Sequence, residues 1–402
     1  MRFPRTCLLA VLPLLVLAAA IRAEDLDPAK LGKIKTAMQA FVDSNDLAGA
    51  VTVVGRKDGV VSYEAVGSLN LDKKTPMTKD ALFRIASMTK PITAIGIMIL
   101  ADEGKLSVDD PVEKYLPEFK GQMQVVTKSA DTVTLKKPTR PITLRDLLTH
   151  TSGLQGSLPT GLSDLYVKRN RTLAEAVIAF SQRPLEFEPG SKWSYCNPGI
   201  DTLGRIIEVV SGLSYEDFLQ KRIFEPLGMK DTTFYPTAAQ LERVAPTYAK
   251  KDNQLVVAPN SLIDLPKDSR FPIPAGGLYS TGADLAKLYQ ALLNKGTLGK
   301  AKILSPEGLA TMTKVQTGDL QTGFTPGMGF GYGFAVVRQP QGVTEMLSPG
   351  TFGHGGAYGT QGWIDPQKDL FVILLIQRVG LPNADGSKMR QEFQTLAVEA
   401  LK

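Results

Sequence analysis

The sequence predicts an α/β fold: an antiparallel sheet built from strands near both ends of the chain, flanked by helices, with a mostly helical region inserted between. Three observations predict it. Strand-like apolar stretches occur at residues 50–56 and 60–67 and return at 332–338, 359–364 and 370–377. From about Lys105 the chain reads instead as short capped helices on long connections. Between these textures lies the stretch 83–101, whose second half, Ala94 to Ala101, is apolar on every face and so belongs in the interior. The expected division is 24–104 with 275–402 as the α/β part and 105–274 as the inserted helical part.

A leader is expected first. Met1 to Arg5 is basic, Cys7 to Ala20 is apolar, and small residues follow, the pattern of a secretory signal peptide cut near Ala20 or Ala23. The apolar run falls short of the about 20 residues a bilayer span needs. No stable membrane span is therefore expected after cleavage, and the destination is the periplasm or the exterior. Residues 31–43 form an amphipathic helix, and the first two strands meet at Lys57-Asp58-Gly59, a hairpin signal. The helix beginning near Ser87 should stop at Gly104. Residues 124–127 and 132–135 give a small hairpin. Thr143-Leu-Arg-Asp146 and Thr172-Leu-Ala-Glu175 have the capping-box pattern, the first opening a helix that runs to His150.

Phe187-Glu-Pro-Gly190 turns the chain into Trp193-Ser-Tyr195-Cys-Asn197, whose alternate residues share a face if extended. Ile200, Leu203, Ile206, Ile207 and Val210 mark the next helix, ended by Gly212, and Ser214 caps its successor. The proline-containing stretch 236–271 is expected as an irregular surface excursion. Thr281 starts a helix with Leu285, Leu288, Tyr289 and Leu292 inward. Residues 365–369 turn between the last two strands, and Met389, Phe393, Leu396 and Ala400 mark a terminal helix.

At 402 residues the chain can bury a large core, and 43% apolar with 21% charged residues is ordinary for a globular protein. Loss of Arg2, Arg5 and Arg22 with the leader, and of no acid, takes the net charge from +6 to +3. The remaining basic residues are scattered, so no nucleic-acid surface is expected. Cys196 is then the single cysteine, which excludes an internal disulfide, and two histidines with no ligand-spaced cluster give no expectation of a protein-built metal site.

Ser87 and Lys90 are three apart, neighbours across one helical turn. A serine hydroxyl is a poor nucleophile until a base takes its proton. An amine desolvated at the head of a buried helix loses enough basicity to help. The same tetrapeptide also fits a capping serine beside a solvated lysine. Tyr195 and Asn197 are candidates for moving protons and holding substrate. Tyr195 equally fits a half-buried strand aromatic, and Asn197 an N-cap ahead of Pro198. In His354-Gly355-Gly356 the glycines let backbone approach a ligand and offer an N–H to an oxyanion, or simply turn the chain.

In this order, Ser87-Met-Thr-Lys90, Tyr195-Cys-Asn197 and the strand motif at His354 resemble the serine β-lactamase and penicillin-binding-protein superfamily. The resemblance is to its branch of class C β-lactamases, D-aminopeptidases and family VIII esterases. Residues 147–154 and 275–281 are similar to stretches of the same branch, and the match covers about 30–400. It implies a β-lactamase/transpeptidase-like fold with Ser87 as the acylated nucleophile and Lys90 as its activating neighbour. Tyr195 would be the general base and later the acid, and Asn197 would bond Lys90 or the substrate. The N–H groups of Ser87 and Ala357 would form the oxyanion hole, the latter following Gly355 and Gly356, with His354 lining the substrate side. No cofactor is implied. One departure matters: the family's penicillin-recognising members usually carry Lys-Thr-Gly where this chain has His354-Gly-Gly, and a neutral histidine partners a carboxylate poorly. The expectation is an exported hydrolase of small carboxylic esters, ahead of β-lactams or D-Ala-type peptides. A non-catalytic cell-wall-binding or scaffold relative is the reading from a different class. No Gly-x-Ser-x-Gly elbow is present to support an α/β-hydrolase.

Overall fold

A computed structural model describes residues 26–401 except 159, 160, 163, 259–264, 266 and 324, so the expected leader lies outside the described residues. Helix α1 (Pro28–Asp43) is capped by Asp27. It leads into strands β1 (Gly49–Arg56), β2 (Gly59–Asn70) and β3 (Thr75–Pro76). Helix α2 (Thr89–Asp102) follows, then α3 (Leu144–Leu148), α4 (Asn197–Ser211) and α5 (Gly282–Leu293) among shorter pieces. The chain ends with β4 (Met328–Phe330), β5 (Ala335–Val337), β6 (Phe352–Gly355), β7 (Gln361–Asp365), β8 (Leu370–Leu375) and α6 (Lys388–Glu399).

These eight strands form one antiparallel sheet in the order β4-β5-β6-β7-β8-β1-β2-β3. The two ends of the chain meet at its centre, where Val53 faces Ile373 on one side and Tyr63 on the other. Both central strands are buried throughout, so their side chains must serve two cores by alternation. Val51, Val53, Phe371, Ile373 and Leu375 join the core that includes α2 and α5, while Ala50, Val54, Leu370, Val372 and Leu374 pack toward α1 and α6. This is the sheet flanked by helices that the sequence predicts.

Every residue of α2 from Thr89 to Leu100 is buried, as its unbroken apolar composition requires. Gly96 allows α4 to approach: a Cβ there would lie 2.8 Å from Ile207. Through α2 the sheet-side core runs without interruption into Ile200, Leu203 and Ile206 of α4.

Three local expectations are corrected. The stretch 236–271 is not merely irregular; it holds a helical turn (Ala238–Leu241) and a hairpin (Tyr248–Lys251, Gln254–Val257). Asp252 and Asn253 both take positive φ at the hairpin's tip, and buried Tyr248 and Phe271 anchor the excursion, features masked by its prolines. The helix opened by Thr143 stops at Leu148, leaving His150 beyond it with φ 61°. The strand expected at 332–338 is confined to β5, because Gly331-Tyr332-Gly333 turns the chain between β4 and β5, with Gly333 at φ 72°.

Candidate active site

Ser87 sits in a single 3-10 turn, Ala86–Met88, that feeds directly into α2. Lys90, three residues on, lies in the first turn of α2, and side chains three apart across a helical turn are neighbours. The turn is entered through Ala86 at φ 46°, a left-handed conformation that costs an alanine about 1–2 kcal/mol. The neighbouring backbone is held by tertiary bonds: Ile85 N–H donates to the Leu278 carbonyl (3.0 Å), Thr360 Oγ1 donates to the Ile85 carbonyl (3.2 Å), and Leu278 N–H donates to Thr89 Oγ1 (3.3 Å). A strained residue held from three sides just before a candidate nucleophile is a common feature of reactive sites.

Lys90 is fully buried. Its Nζ donates to Ser87 Oγ at 3.1 Å and to the Ala275 carbonyl at 2.7 Å, and lies 4.6 Å from the centre of the Tyr195 ring. Burial drives the amine down from its ordinary 10.5 to about 7, with the nearby Asp201 carboxylate pulling the other way. The Tyr195 phenol bonds Ser87 as well, and burial pushes it far above the usual phenol range, so it is a proton donor at rest. Lysine and tyrosine, from separate segments, thus converge on one hydroxyl.

The segment carrying Tyr195 is held by His150. The Ser194 N–H donates to the His150 carbonyl (2.9 Å) and the Cys196 N–H to its Nδ1 (3.1 Å), while the imidazole lies 4.6 Å from the Tyr195 ring. An Nδ1 that accepts belongs to a neutral ring, and burial with the charge of Lys90 holds His150 well below its ordinary 6.5. Sequence reasoning gave His150 no role. The available signal was a histidine, one of two in the chain, directly following a capping-box helix. Asn197 is the first residue of α4 rather than its cap; Cys196 takes that place, with no side-chain cap bond. Lys90 bonds Ser87 and Ala275, and Asn197 lines the cavity beside Ser87.

Across the site, His354 and Gly355 lie in β6 rather than in a loop. The His354 Nδ1 bonds the Gly355 carbonyl at 2.6 Å, which makes this ring nitrogen the protonated one. Burial and then the charge of Lys90 lower His354 to about 4, so it is neutral, with its ring 6.1 Å from that of Tyr195. Gly356 then turns the chain: its N–H donates to the Thr360 carbonyl (2.7 Å), and a Cβ on it would stand 2.5 Å from the Ile85 carbonyl oxygen. This close approach brings the turn holding Ala357, an exposed residue, against the backbone that leads into Ser87.

The second group that sequence reasoning missed is Asp201, wholly buried in α4. It accepts from the Tyr166 hydroxyl (2.6 Å) and from the Ala275 N–H (2.8 Å). Residues 274–278, which gave no chemistry in the sequence, are the backbone brace of the site: the Pro274 carbonyl accepts from Thr93 Oγ1 (2.7 Å) and the Ala275 carbonyl from Lys90. A cavity of about 370 Å³ opens over Ser87, with Leu158, Val167, Arg169, Ile273 and Tyr358 on its walls and Asn197 beside the serine.

A serine hydroxyl met by a buried amine and a phenol, at the head of a central helix beside an antiparallel sheet, defines the class: a serine hydrolase of β-lactamase-type fold. The chain belongs to the beta-lactamase family, whose model matches residues 34–397. It is 30% identical to Esterase EstB of Burkholderia gladioli over 388 residues, covering 88% of this chain and 94% of that protein. It is 31% identical over 389 residues to the lovastatin esterase of Penicillium rubens, covering 90% and 96%. Among solved structures it is similar to EstCE1, described as a hydrolase with promiscuous acyltransferase activity, with a TM-score of 0.76 and 26% identity over 93% of this chain and 98% of that one.

Proposed function

We propose that the protein is an exported serine acyl hydrolase of small carboxylic esters, working through an acyl-enzyme at Ser87. The single observation that carries the substrate choice is His354, a buried imidazole whose Nδ1 bonds the Gly355 carbonyl and which burial keeps neutral, at the position where the family's penicillin-recognising members usually hold a cation. A β-lactam or a D-Ala-terminated peptide brings a carboxylate, and the strand supplies it no opposite charge. The apolar walls at Leu158, Val167 and Ile273 and the two esterase relatives support the same reading. The order of basic, apolar and small residues in 1–23 supports export.

In the proposed cycle Ser87 Oγ attacks the ester carbonyl while its proton passes to the neutral Lys90 amine. The buried phenol of Tyr195 is held too firmly protonated to take it first. The N–H groups of Ser87 and Ala357 receive the oxyanion. Collapse breaks the bond to the alkoxide, which takes the Tyr195 proton and leaves as the alcohol, and Lys90 returns a proton to the phenolate. Water then repeats the sequence on the acyl-serine and releases the acid. The test compares p-nitrophenyl butyrate, a chromogenic cephalosporin and a D-Ala-D-Ala peptide on the mature protein and on Ser87→Ala. Expected is turnover of the ester well above the other two, lost on the order of 10⁶-fold in the variant. A cephalosporin turned over faster than the ester would overturn the substrate assignment.

A further inference from the structure

Close enough to Lys90 to feel its charge lies a carboxylate that the proposed cycle does not use. Asp201 has no solvent exposure, and both its oxygens are engaged: Oδ1 accepts the Ala275 N–H and Oδ2 the Tyr166 hydroxyl. The residue whose N–H it holds is the residue whose carbonyl receives the Lys90 amine. Removing a carboxylate from water is costly, several kcal/mol in effect. Two neutral acceptors could hold the same two donors without that cost.

We propose that Asp201 is a positioning residue of the reaction: it fixes Ala275 so that its carbonyl aims at Lys90, and its charge sets the pH at which that amine yields its proton. The inference rests on the Ser87–Lys90 reading above. The groups around the pair carry little competing charge. Facing Asp201 are the phenols of Tyr166 and Tyr215, both held protonated by burial, and the thiol of Cys196, pushed up to about 12. Facing Lys90 are Ser87, Tyr195, Cys196 and the imidazoles of His150 and His354, both held neutral. In this setting burial pushes Asp201 up to about 7 and draws Lys90 down to about 7, each favouring the other's charged form, so the two titrate over the same pH range. They form no close ion pair, so the amine remains free to move toward Ser87 and accept its proton.

The sign follows. A carboxylate beside an ammonium retards proton loss, so its removal lets Lys90 become neutral at lower pH. Asp201→Asn keeps an acceptor for the Ala275 N–H and drops the charge. The expected result is that the acid limb of kcat/KM against pH, for p-nitrophenyl butyrate, moves about one pH unit lower, while Asp201→Glu stays nearer the wild-type limb. A limb that does not move in Asp201→Asn, whatever the level of activity, overturns the proposal. Should that variant fail to fold, as judged by circular dichroism, Asp201→Ser, with room for a water on the same two donors, is read in its place with the same two outcomes. Ser87→Ala, run alongside, separates the two levels. Ester turnover surviving there sinks the nucleophile assignment, whereas an inactive Ser87→Ala with an unmoved limb sinks only the role of Asp201.

Discussion

At the scale of single residues, the site works by withholding water. Lys90, Tyr195, His150 and His354 are ordinary titratable groups, and burial moves each toward its neutral form: the amine and imidazoles down, the phenol up. A neutral amine can take a proton and a neutral phenol can give one, which is the pairing acyl transfer needs. His150 extends this inward, because a neutral ring can accept the Cys196 N–H where a charged one cannot. His150→Phe keeps the ring contacts with Tyr195 but strands that buried N–H. It is expected to cost about 1–3 kcal/mol in denaturant unfolding and to lower kcat/KM for an ester by up to about 100-fold as Tyr195 shifts from Ser87. Unfolding and kinetics both equal to wild type would refute the brace.

At the scale of elements, the site is a junction of backbones, and glycine sets how closely they meet. A Cβ at Gly356 would stand 2.1 Å from Thr360 Oγ1 and 2.5 Å from the Ile85 carbonyl, with backbone on one side that cannot yield cheaply. Gly356→Ala should therefore push the Ala357 turn away from Ser87. The expected loss is about 10²–10³ in kcat, the size seen when one oxyanion donor goes, with KM changed much less; a kcat within a few-fold of wild type would contradict it. What the sequence made legible follows the same geometry. Ser87 and Lys90 share one turn, so their spacing alone could suggest the pair, and β1 and β8 were readable as strands because both are rich in branched apolar residues. Asp201 and His150 were not readable, because their partners Ala275 and Cys196 lie 74 and 46 residues away. Strand β6 was legible only through the resemblance, because Gly353 and Gly355 weaken a strand signal while allowing close approach, and the hairpin at 248–257 was hidden by the prolines around it.

At the scale of the whole molecule, one core runs from the sheet through α2 into α4, so the turn carrying Ser87 is anchored in a close-packed interior. The buried neutral histidines tie that core to pH. His354 refuses a proton down to about 4 when folded, while the unfolded chain takes one near 6.5, so protons favour unfolding across that window. Wild type should lose about 3 kcal/mol of stability relative to His354→Asn between pH 7 and pH 4, read as the difference between their urea midpoints at each pH. Parallel curves would mean that the imidazole is not held neutral. The central claim, that one hydroxyl in this core is made reactive by an amine and a phenol, is tested most directly by intact-mass analysis after treatment with a fluorophosphonate. The account expects a single adduct, mapped by peptide sequencing to Ser87, and none on Ser87→Ala. An unmodified wild-type protein, or an adduct on another residue, would contradict it.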